Sequence, residues 1–299
     1  MPDSSQDFQT SFDYQVAFHR NLGVISPEEQ KQLQRSRVAV AGVGGMGGAI
    51  VHALTRLGIG RFTLADIDTY EMSNFNRQFG ATRQTIGRKK TEVMRETVLS
   101  INPAAEVTLI DEGIRNDTLD RFLQGADLVM DAMDFNCFSE RFLLYPKARE
   151  KGIWVLNTAP PGFGYTLLVF DPKGMTFEDY FDLSPQMSRQ QIFLNSLIGV
   201  TPKSLLLRYI KLRKMIDHGN RFTCVSPAFF LGAGMTSTQA FCLLLKRPHA
   251  KPIPWVHQFD AYLNQRVSTY FPMGMRSPWQ RIKRWFLRRL LKPLMDTSG

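Results

Sequence analysis

Residues 38–47 decide the fold of this chain, and they read VAVAGVGGMG. The first four residues are small and apolar, as in a short buried parallel strand, and glycines follow directly. Residues 49–57 then have the pattern of a helix that ends at a glycine. A strand that leads through glycines into a helix presents backbone N–H groups and the positive end of the helix dipole to a phosphate chain. The glycines that we expect to contact a nucleotide are Gly42, Gly44, Gly45 and Gly47.

Strand and helix patterns continue to alternate after this segment, which predicts βαβ units and a parallel sheet. The predicted strands span residues 62–65, 107–110, 128–130 and 153–157, and the predicted helices span 89–100, 119–124 and 140–151. Residues 165–170 are mostly apolar and end in the turn sequence DPKG, which favours an antiparallel addition. A helix at 232–245 and a last strand or hairpin at 258–269 follow. The expected fold is α/β, a Rossmann-like doubly wound mixed sheet with a parallel first half and antiparallel additions.

Three segments are expected along the chain. Residues 1–36 form an N-terminal arm and a short helix, which begins at the capping sequence SPEE. Residues 37–275 form one large domain, and residues 276–299 form a basic C-terminal helix. Within the large domain, residues 175–222 lack the alternation, apart from a predicted helix at 205–216. We interpret them as an insertion over one edge of the sheet, which either shapes a substrate entrance or adds packing.

The composition is that of a globular protein, with 43% hydrophobic and 21% charged residues. Three widely separated cysteines, Cys137, Cys224 and Cys242, form neither a disulfide framework nor a four-cysteine zinc site. We therefore expect a reducing cytoplasm and no zinc, and we regard Cys137 and Cys242 as structural. Because there is no leader pattern and no run of about 18 apolar residues, we expect a protein that is neither secreted nor membrane-spanning.

The net charge of +10 is concentrated at the C-terminus, where residues 276–299 hold seven basic residues and one acidic residue. The body of the protein is therefore not expected to bind nucleic acid through its charge. Placed at 100° per residue, residues 279–294 are amphipathic. One side carries Trp279, Ile282, Phe286, Leu287, Leu290, Leu291 and Leu294, and the other carries Arg281, Arg284, Arg288, Arg289 and Lys292, with Lys283 as the exception. Such a helix lies on an anionic membrane, docks on a partner, or packs back on its own protein.

An acidic residue and a group of cations follow the glycine loop. Asp66 ends the second strand, 24 residues after Gly42, where a carboxylate can accept hydrogen bonds from ribose hydroxyls. Residues 73–78 read SNFNRQ, and Lys90 follows thirteen residues after Arg77. A hydride-transfer enzyme needs no cluster of cations at this point, so the set favours ATP over a nicotinamide cofactor.

Together with the loop, this set resembles the ThiF/MoeB/HesA family, the adenylating domain of ubiquitin-activating enzymes, from about Arg20 to about Val267. The resemblance implies a ThiF-like adenylation domain that uses ATP to activate a carboxylate as an acyl adenylate and releases pyrophosphate. It also implies roles for individual residues. By resemblance, Asp66 binds the ribose, and the phosphates are bound by Asn74, Arg77 and Lys90.

The resemblance extends to a metal ligand and to a residue of the N-terminal arm. Residues 131–134 read DAMD and are similar to the family's D-x-x-D-N motif, whose second aspartate holds Mg²⁺, here Asp134. Phe135 stands where the family has asparagine. Residues 18–21, FHRN, look like the arm whose arginine crosses a homodimer interface to the triphosphate of the other subunit. Arg20 is the corresponding catalytic candidate.

The chemistry explains why these residue types are needed. A triphosphate attacked at its α-phosphorus sheds a strongly negative pyrophosphate, so cations must be in place around it. The attacking carboxylate is already ionised near pH 7, so no general base is required. Cys224 resembles the position of the family's thioester or persulfide cysteine, which takes the acyl group from AMP. We favour the other interpretation of Cys224, a buried structural residue, because cysteine is among the most often buried residues.

Several functions remain in competition. The leading hypothesis is activation of the C-terminal glycine of a ubiquitin-like or sulfur-carrier protein, or of a peptide or small molecule, by a cytoplasmic homodimer. A second resembles the tRNA threonylcarbamoyladenosine dehydratases, whose N-x-N-R-Q form occurs at residues 74–78 and whose substrate is a modified tRNA base. A third is a nucleotide-binding interaction protein without catalysis, recruited to a partner or to the periphery of a membrane. A nicotinamide oxidoreductase ranks last.

Overall fold

A mixed sheet of eight strands runs through the structure, a computed structural model that describes residues 11–210, 216–217 and 221–295. The strands of this sheet are β1 (Arg37–Ala41), β2 (Arg61–Ala65), β3 (Glu106–Ile110), β4 (Leu128–Asp131), β5 (Trp154–Ala159), β6 (Gly164–Phe170), β9 (Trp255–Asp260) and β10 (Gln265–Tyr270). A separate short ladder pairs β7 (Ile216–Asp217) with β8 (Arg221–Phe222). The sheet is the frame on which the candidate site is built.

The strand order is β10-β9-β6-β5-β4-β1-β2-β3, and it confirms the expected fold class. Strands β3, β2, β1, β4 and β5 are parallel to their neighbours in this series, whereas β6, β9 and β10 join by antiparallel pairing. The chain runs outward from β1 to β3 and then returns to place β4 on the other side of β1. The point between β1 and β4 is therefore a topological switch point, where open α/β sheets bind their ligands.

Helices cover both faces of the sheet. They are α1 (Tyr14–Phe18), α2 (Pro27–Arg35), α3 (Gly45–Arg56), α4 (Lys90–Ile101), α5 (Leu119–Phe122), α6 (Phe138–Glu150), α7 (Phe177–Phe181), α8 (Arg189–Val200), α9 (Ser226–Leu244) and α10 (Pro278–Met295). Alternate residues of β1 point to opposite faces, so Val38 and Val40 pack against α3 and α9, while Ala39 and Ala41 face the layer of α5 and α6. Within the described residues, no helix has the length and apolar composition needed to cross a membrane.

The N-terminal arm is fastened to the far end of α3. Helix α2 begins at the expected capping sequence, where Ser26 and Glu29 form a capping box by bonding each other's backbone N–H groups. The hydroxyl of Tyr14 donates to the carbonyl of Gly58, just beyond α3. The Asn21 side-chain amide donates to the carbonyl of Leu57 at 3.3 Å. These contacts fix the arm at the C-terminal end of α3, opposite the glycine loop.

The insertion differs from the sequence expectation. The predicted helix at 205–216 is wrong over its described residues, because Leu205–Arg208 form a 3₁₀ turn and residues 216–217 form β7; residues 211–215 lie outside the described residues. Leu205 and Leu206 enter the core while the Tyr209 hydroxyl bonds Asp260 at 2.6 Å, so tertiary contacts override the helical pattern. Helix α8 was not predicted, since it is buried around most of its circumference and has no single apolar stripe.

The glycine loop is shorter than predicted, because α3 begins at Gly45 and not at residue 49. Gly42 has φ +85°, and a Cβ there would lie 2.6 Å from the Ala132 carbonyl oxygen. A Cβ on Gly47 would overlap the carbonyl oxygen of Gly42. These two positions therefore require glycine for the loop to turn and for β1 and β4 to approach.

We expect Gly47→Ala to lower the free energy of unfolding by about 2 kcal/mol, because the added methyl meets backbone that cannot rotate away. The matched control is Gly234→Ala in α9, where a Cβ would have nothing within 4 Å. That change should raise the free energy of unfolding by about 0.5–1 kcal/mol through helix propensity. Urea unfolding measures both, and equal effects of the two changes would contradict the packing account of the loop.

Candidate active site

The carboxyl ends of three neighbouring parallel strands bring the predicted residues to one edge of the sheet. The glycine loop follows β1, Asp66 follows β2, and Asp134 lies three residues after the end of β4. The order of these strands puts β1 in the centre, so the loop is flanked by the two acidic residues. This edge coincides with the switch point of the sheet, which is the expected position of a ligand.

The N-terminus of α3 is open to an anion. Its N-cap residue is Gly44, which has no side chain to cap the first turn. Orphan N–H groups of a first turn, together with the helix dipole, favour a phosphate. The Val43 N–H donates to Asp66 Oδ2 at 2.8 Å, so the carboxylate lies against the loop. Burial raises the pKa of the Asp66 carboxyl, and the charge of Lys90 opposes that increase.

Lys90 is held in the interior at the start of α4. It is only 5% exposed, and its Nζ lies 2.8 Å from Asp68 Oδ2. A buried ammonium is costly without a partner, so Asp68 fixes its position. The structure thus brings together Asp66, Asp68 and Lys90, and the loop lies beside them.

Asn74 and Arg77 lie on a tight turn between β2 and α4. Asn74 Oδ1 accepts the Glu71 N–H at 3.0 Å, and the Asn74 carbonyl accepts the N–H groups of Arg77 and Gln78. The Arg77 guanidinium donates to the Ser73 carbonyl at 3.1 Å and to Asn76 Oδ1 at 3.0 Å. In the described part of the chain Arg77 has no carboxylate partner, so its charge is available to an anionic ligand.

Gln78 is a site residue that the sequence reasoning did not single out. It is 8% exposed, and its side-chain amide would lie 3.4–3.5 Å from a Cβ on Gly44. Its Oε1 has no hydrogen-bond partner within the described residues. A buried amide oxygen without a partner beside the glycine loop is a candidate contact for a ligand. The only sequence signal was its place in the SNFNRQ motif.

A buried ion pair shapes the loop that carries Asp134. Arg141 on α6 bonds both carboxylate oxygens of Asp131, at 2.7 and 3.1 Å, and the Tyr145 hydroxyl adds a third bond to Asp131 at 2.8 Å. The same guanidinium donates to the backbone carbonyls of Met133, Asp134, Phe135 and Cys137. Asp134 itself is exposed and, among the described residues, forms no ion pair. The network thus holds the backbone of Asp134 in place and makes no bond to its carboxylate.

The residues suit one magnesium ion shared with a nucleotide. Within the described residues, no group of three or more His, Cys, Asp and Glu side chains is placed to hold a metal. Mg²⁺ commonly takes one or two carboxylates and completes its shell with phosphate oxygens and water. An exposed Asp134 beside the glycine loop fits that donor set.

Cys224 lies close to the cationic turn. Its carbonyl accepts the Asn76 side-chain amide at 3.3 Å, and its backbone pairs with Gly162. Burial raises the pKa of the Cys224 thiol, while the charge of Arg77 and a hydrogen bond from Asn76 lower it. The thiol is therefore beside the candidate site, and its burial favours the protonated form by raising its pKa.

Arg20 is the predicted site residue that the structure does not bring to the others. It is exposed on a 3₁₀ turn next to Asn21, which is bonded to the C-terminal end of α3. The glycine loop is at the other end of this helix of 12 residues, which is about 18 Å long. An arginine side chain does not cover that distance, so Arg20 does not reach the loop of its own chain.

These features form a candidate nucleotide-binding site on a Rossmann-like sheet, and comparison with known proteins identifies the family. The ThiF family model matches residues 18–278, so the chain belongs to the ThiF family. The tRNA threonylcarbamoyladenosine dehydratase of Haemophilus influenzae is 43% identical over 112 residues, which are 37% of this chain and 43% of that protein. The molybdopterin-synthase adenylyltransferase of Salmonella typhimurium is 36% identical over 107 residues, 36% of this chain and 43% of that protein.

The chain thus spans less than half the length of these two relatives. The crystal structure of E. coli MccB with ATP matches with a TM-score of 0.61 and 19% identity, covering 84% of this chain and 67% of that chain. At this identity the match shows a shared fold. The resemblance to the family is confirmed.

We expect Arg77→Ala to raise the pKa of the Cys224 thiol further, because the mutation removes the cation that partly offsets burial. The pKa of Cys224 is measured as the midpoint of the pH dependence of its alkylation rate with iodoacetamide. The measurement uses a Cys137→Ser, Cys242→Ser background, in which Cys224 is the remaining cysteine. Arg83→Ala removes an exposed arginine of the next turn and is the charge-matched control, with no expected change. A wild-type midpoint below the ordinary thiol value of about 8.5 would contradict this description of Cys224.

Proposed function

We propose that this protein is an ATP-dependent adenylyltransferase that activates a carboxylate as acyl-AMP and releases pyrophosphate. The observation that carries the proposal is the single edge of the sheet that holds an open helix N-terminus, a carboxylate for the ribose and two cations, Arg77 and Lys90. Binding to a phosphate chain alone would need only the loop. Preplaced cations are what a departing pyrophosphate requires.

Each residue of the candidate site has a proposed role that follows from its chemistry. Arg77 offers two-pronged hydrogen bonds to phosphate oxygens, and Lys90 supplies a point charge whose position Asp68 fixes. Asp66 is proposed to accept hydrogen bonds from the ribose hydroxyls. These bonds would replace the one that Asp66 accepts from the Val43 N–H. Asp134 is proposed to hold Mg²⁺, which when bound neutralises phosphate charge. A carboxylate nucleophile needs no base, so Cys224 has no part in the adenylation step itself.

We propose a homodimer in which Arg20 serves the site of the other subunit. The position of Arg20 at the end of α3 remote from its own loop supports this assignment. In a two-fold dimer, each arm would complete the partner's site and neither would complete its own.

For the substrate we propose the C-terminal glycine of a ubiquitin-like or sulfur-carrier protein, with a peptide or a small carboxylic acid as the other members of the class. Similarity to a molybdopterin-synthase adenylyltransferase supports a protein carboxylate. For the location we propose the cytoplasm, with peripheral membrane contact through α10.

A second candidate is a tRNA-modifying enzyme of the threonylcarbamoyladenosine dehydratase type. The identity of 43% to the Haemophilus influenzae enzyme favours it. The form N-x-N-R-Q at residues 74–78, which the dehydratase branch shares, adds to that support. A nucleotide-binding interaction protein that has lost catalysis is the third candidate.

ATP–pyrophosphate exchange tests the proposal. We expect exchange that depends on a carboxylate donor, and a loss of about 100-fold or more in Arg77→Ala and in Lys90→Ala. Arg83→Ala is the control and should retain the wild-type rate. Exchange stimulated by a protein that ends in glycine supports the first substrate class, and exchange stimulated only by tRNA supports the second candidate. ATP binding without exchange under any donor would contradict both enzymatic proposals.

Subunit mixing tests the role of Arg20. Arg20→Ala and Arg77→Ala are each expected to be inactive alone, whereas an equal mixture should recover about one quarter of the sites, because half of the dimers are mixed and each has one intact site. The dimers must be exchanged in mild denaturant and rechecked by gel filtration. An inactive mixture that contains verified mixed dimers would exclude the shared site.

A further inference from the structure

Helix α10 is attached to the protein by a mixed face, on which Leu287 packs against the core beside two basic residues, Lys283 and Arg284. The Arg284 guanidinium donates to Asp182 Oδ2 at 2.7 Å, to Asn195 Oδ1 at 2.9 Å and to the Met275 carbonyl. Lys283 Nζ donates to the Pro202 carbonyl at 2.7 Å. A surface helix normally turns its apolar stripe toward the protein and its charges to solvent. In α10 two of the charges are turned inward.

The other large apolar side chains described in α10 form a stripe that is exposed to solvent. Trp279 is 77% exposed, Ile282 46% and Phe286 56%, and at 100° per residue these three lie within about 60° of one another. Trp285 is 51% exposed beside them. Four large apolar residues on one exposed helix face are unusual for a protein surface that meets only water.

Arginines border this stripe. Arg281, Arg288 and Arg289 are exposed, and the Arg289 guanidinium lies over the Trp285 ring, 4.1 Å from its centroid. The sequence of α10 contains six basic residues and no acidic residue. Any surface that covers the stripe must therefore offer both apolar groups and negative charge.

We propose that the exposed face of α10, formed by Trp279, Ile282, Trp285 and Phe286 with Arg281, Arg288 and Arg289, docks on an anionic lipid surface. A bilayer interface supplies both required properties at once, acyl chains beneath and phosphates above. Tryptophan rings are favoured at that depth, and arginine side chains reach back to the headgroups. A basic amphipathic helix with aromatic residues is the type that lies in the plane of the interface.

The geometry of attachment suits this role. Because Arg284 and Lys283 hold α10 to the body at α8 and the residues that flank it, docking places the whole protein on the membrane without unfolding the helix from it. The inference does not depend on the adenylation chemistry, since no residue of the exposed face belongs to the candidate active site.

Sedimentation of the full chain with vesicles tests the proposal. We compare vesicles of phosphatidylcholine alone with vesicles that contain about one third phosphatidylglycerol, at low and high salt. We expect binding only to the anionic vesicles, weakened by salt because the charges are exposed. Phe286→Ser should reduce the affinity about ten-fold. The paired change Arg281→Glu, Arg288→Glu should reduce it about thirty-fold or more.

The controls are matched in exposure and charge. Phe230→Ser on α9 removes a phenylalanine that is also 56% exposed, and the pair Lys31→Glu, Arg35→Glu on α2 makes the same change of charge. Both controls should bind anionic vesicles as the wild type does. Equal losses in the α10 variants and the controls would overturn the proposal. So would failure to bind anionic vesicles, and if Phe286→Ser then also converted a dimer to a monomer in sedimentation velocity, the face would be assigned to a second copy of the chain.

Discussion

Gly42 passes so close to the Ala132 carbonyl that any side chain at residue 42 would collide with it. This approach joins the loop after β1 to the loop after β4 across the switch point of the sheet. The positive φ of Gly42 turns the chain there, and the missing side chain of Gly47 lets α3 start directly above Gly42. The open helix terminus and Asp134 meet at one edge because these two positions carry no side chain.

The Asp134 loop depends on a second constraint, the buried pair of Arg141 and Asp131. A buried ion pair contributes little net stability, but removing one partner leaves an uncompensated charge, so the pair enforces one arrangement. The guanidinium of Arg141 also donates hydrogen bonds to backbone carbonyls of the loop. Tyr145, which bonds Asp131, also stacks on Phe177 of the insertion at 4.3 Å between ring centroids. Part of the insertion is thus packed beneath the candidate active site. Farther along the insertion, the Tyr209 hydroxyl accepts a hydrogen bond from the Phe163 N–H. Phe163 follows Gly162, whose backbone pairs with that of Cys224.

The parallel half of the sheet was predictable because each of its strands is a short apolar run between helix patterns. Motif spacing also singled out Asp66, Asn74, Arg77, Lys90 and Asp134 as candidate site residues. Helix α8 was missed because burial on most sides removes the stripe on which helix prediction relies. Arg141 and Gln78 were missed because their importance comes from contacts across the fold, such as Arg141 with Asp131 and Gln78 with the glycine loop. The amphipathic pattern of α10 was evident from the sequence, but the face that packs on the protein is set by contacts that the pattern does not show, such as Arg284 with Asp182 and Leu287 with the core.

The edge between β1, β2 and β4 is proposed to bind ATP in an orientation suited to attack at the α-phosphorus. A crystal structure with Mg²⁺ and an ATP analogue whose α,β-bridging oxygen is replaced by methylene tests it most directly. We expect phosphates at the N-terminus of α3 within hydrogen-bond distance of Arg77 and Lys90, ribose hydroxyls on Asp66, and the metal on Asp134. A nucleotide bound elsewhere, or bound in this cleft with its triphosphate directed away from Arg77 and Lys90, would contradict the account.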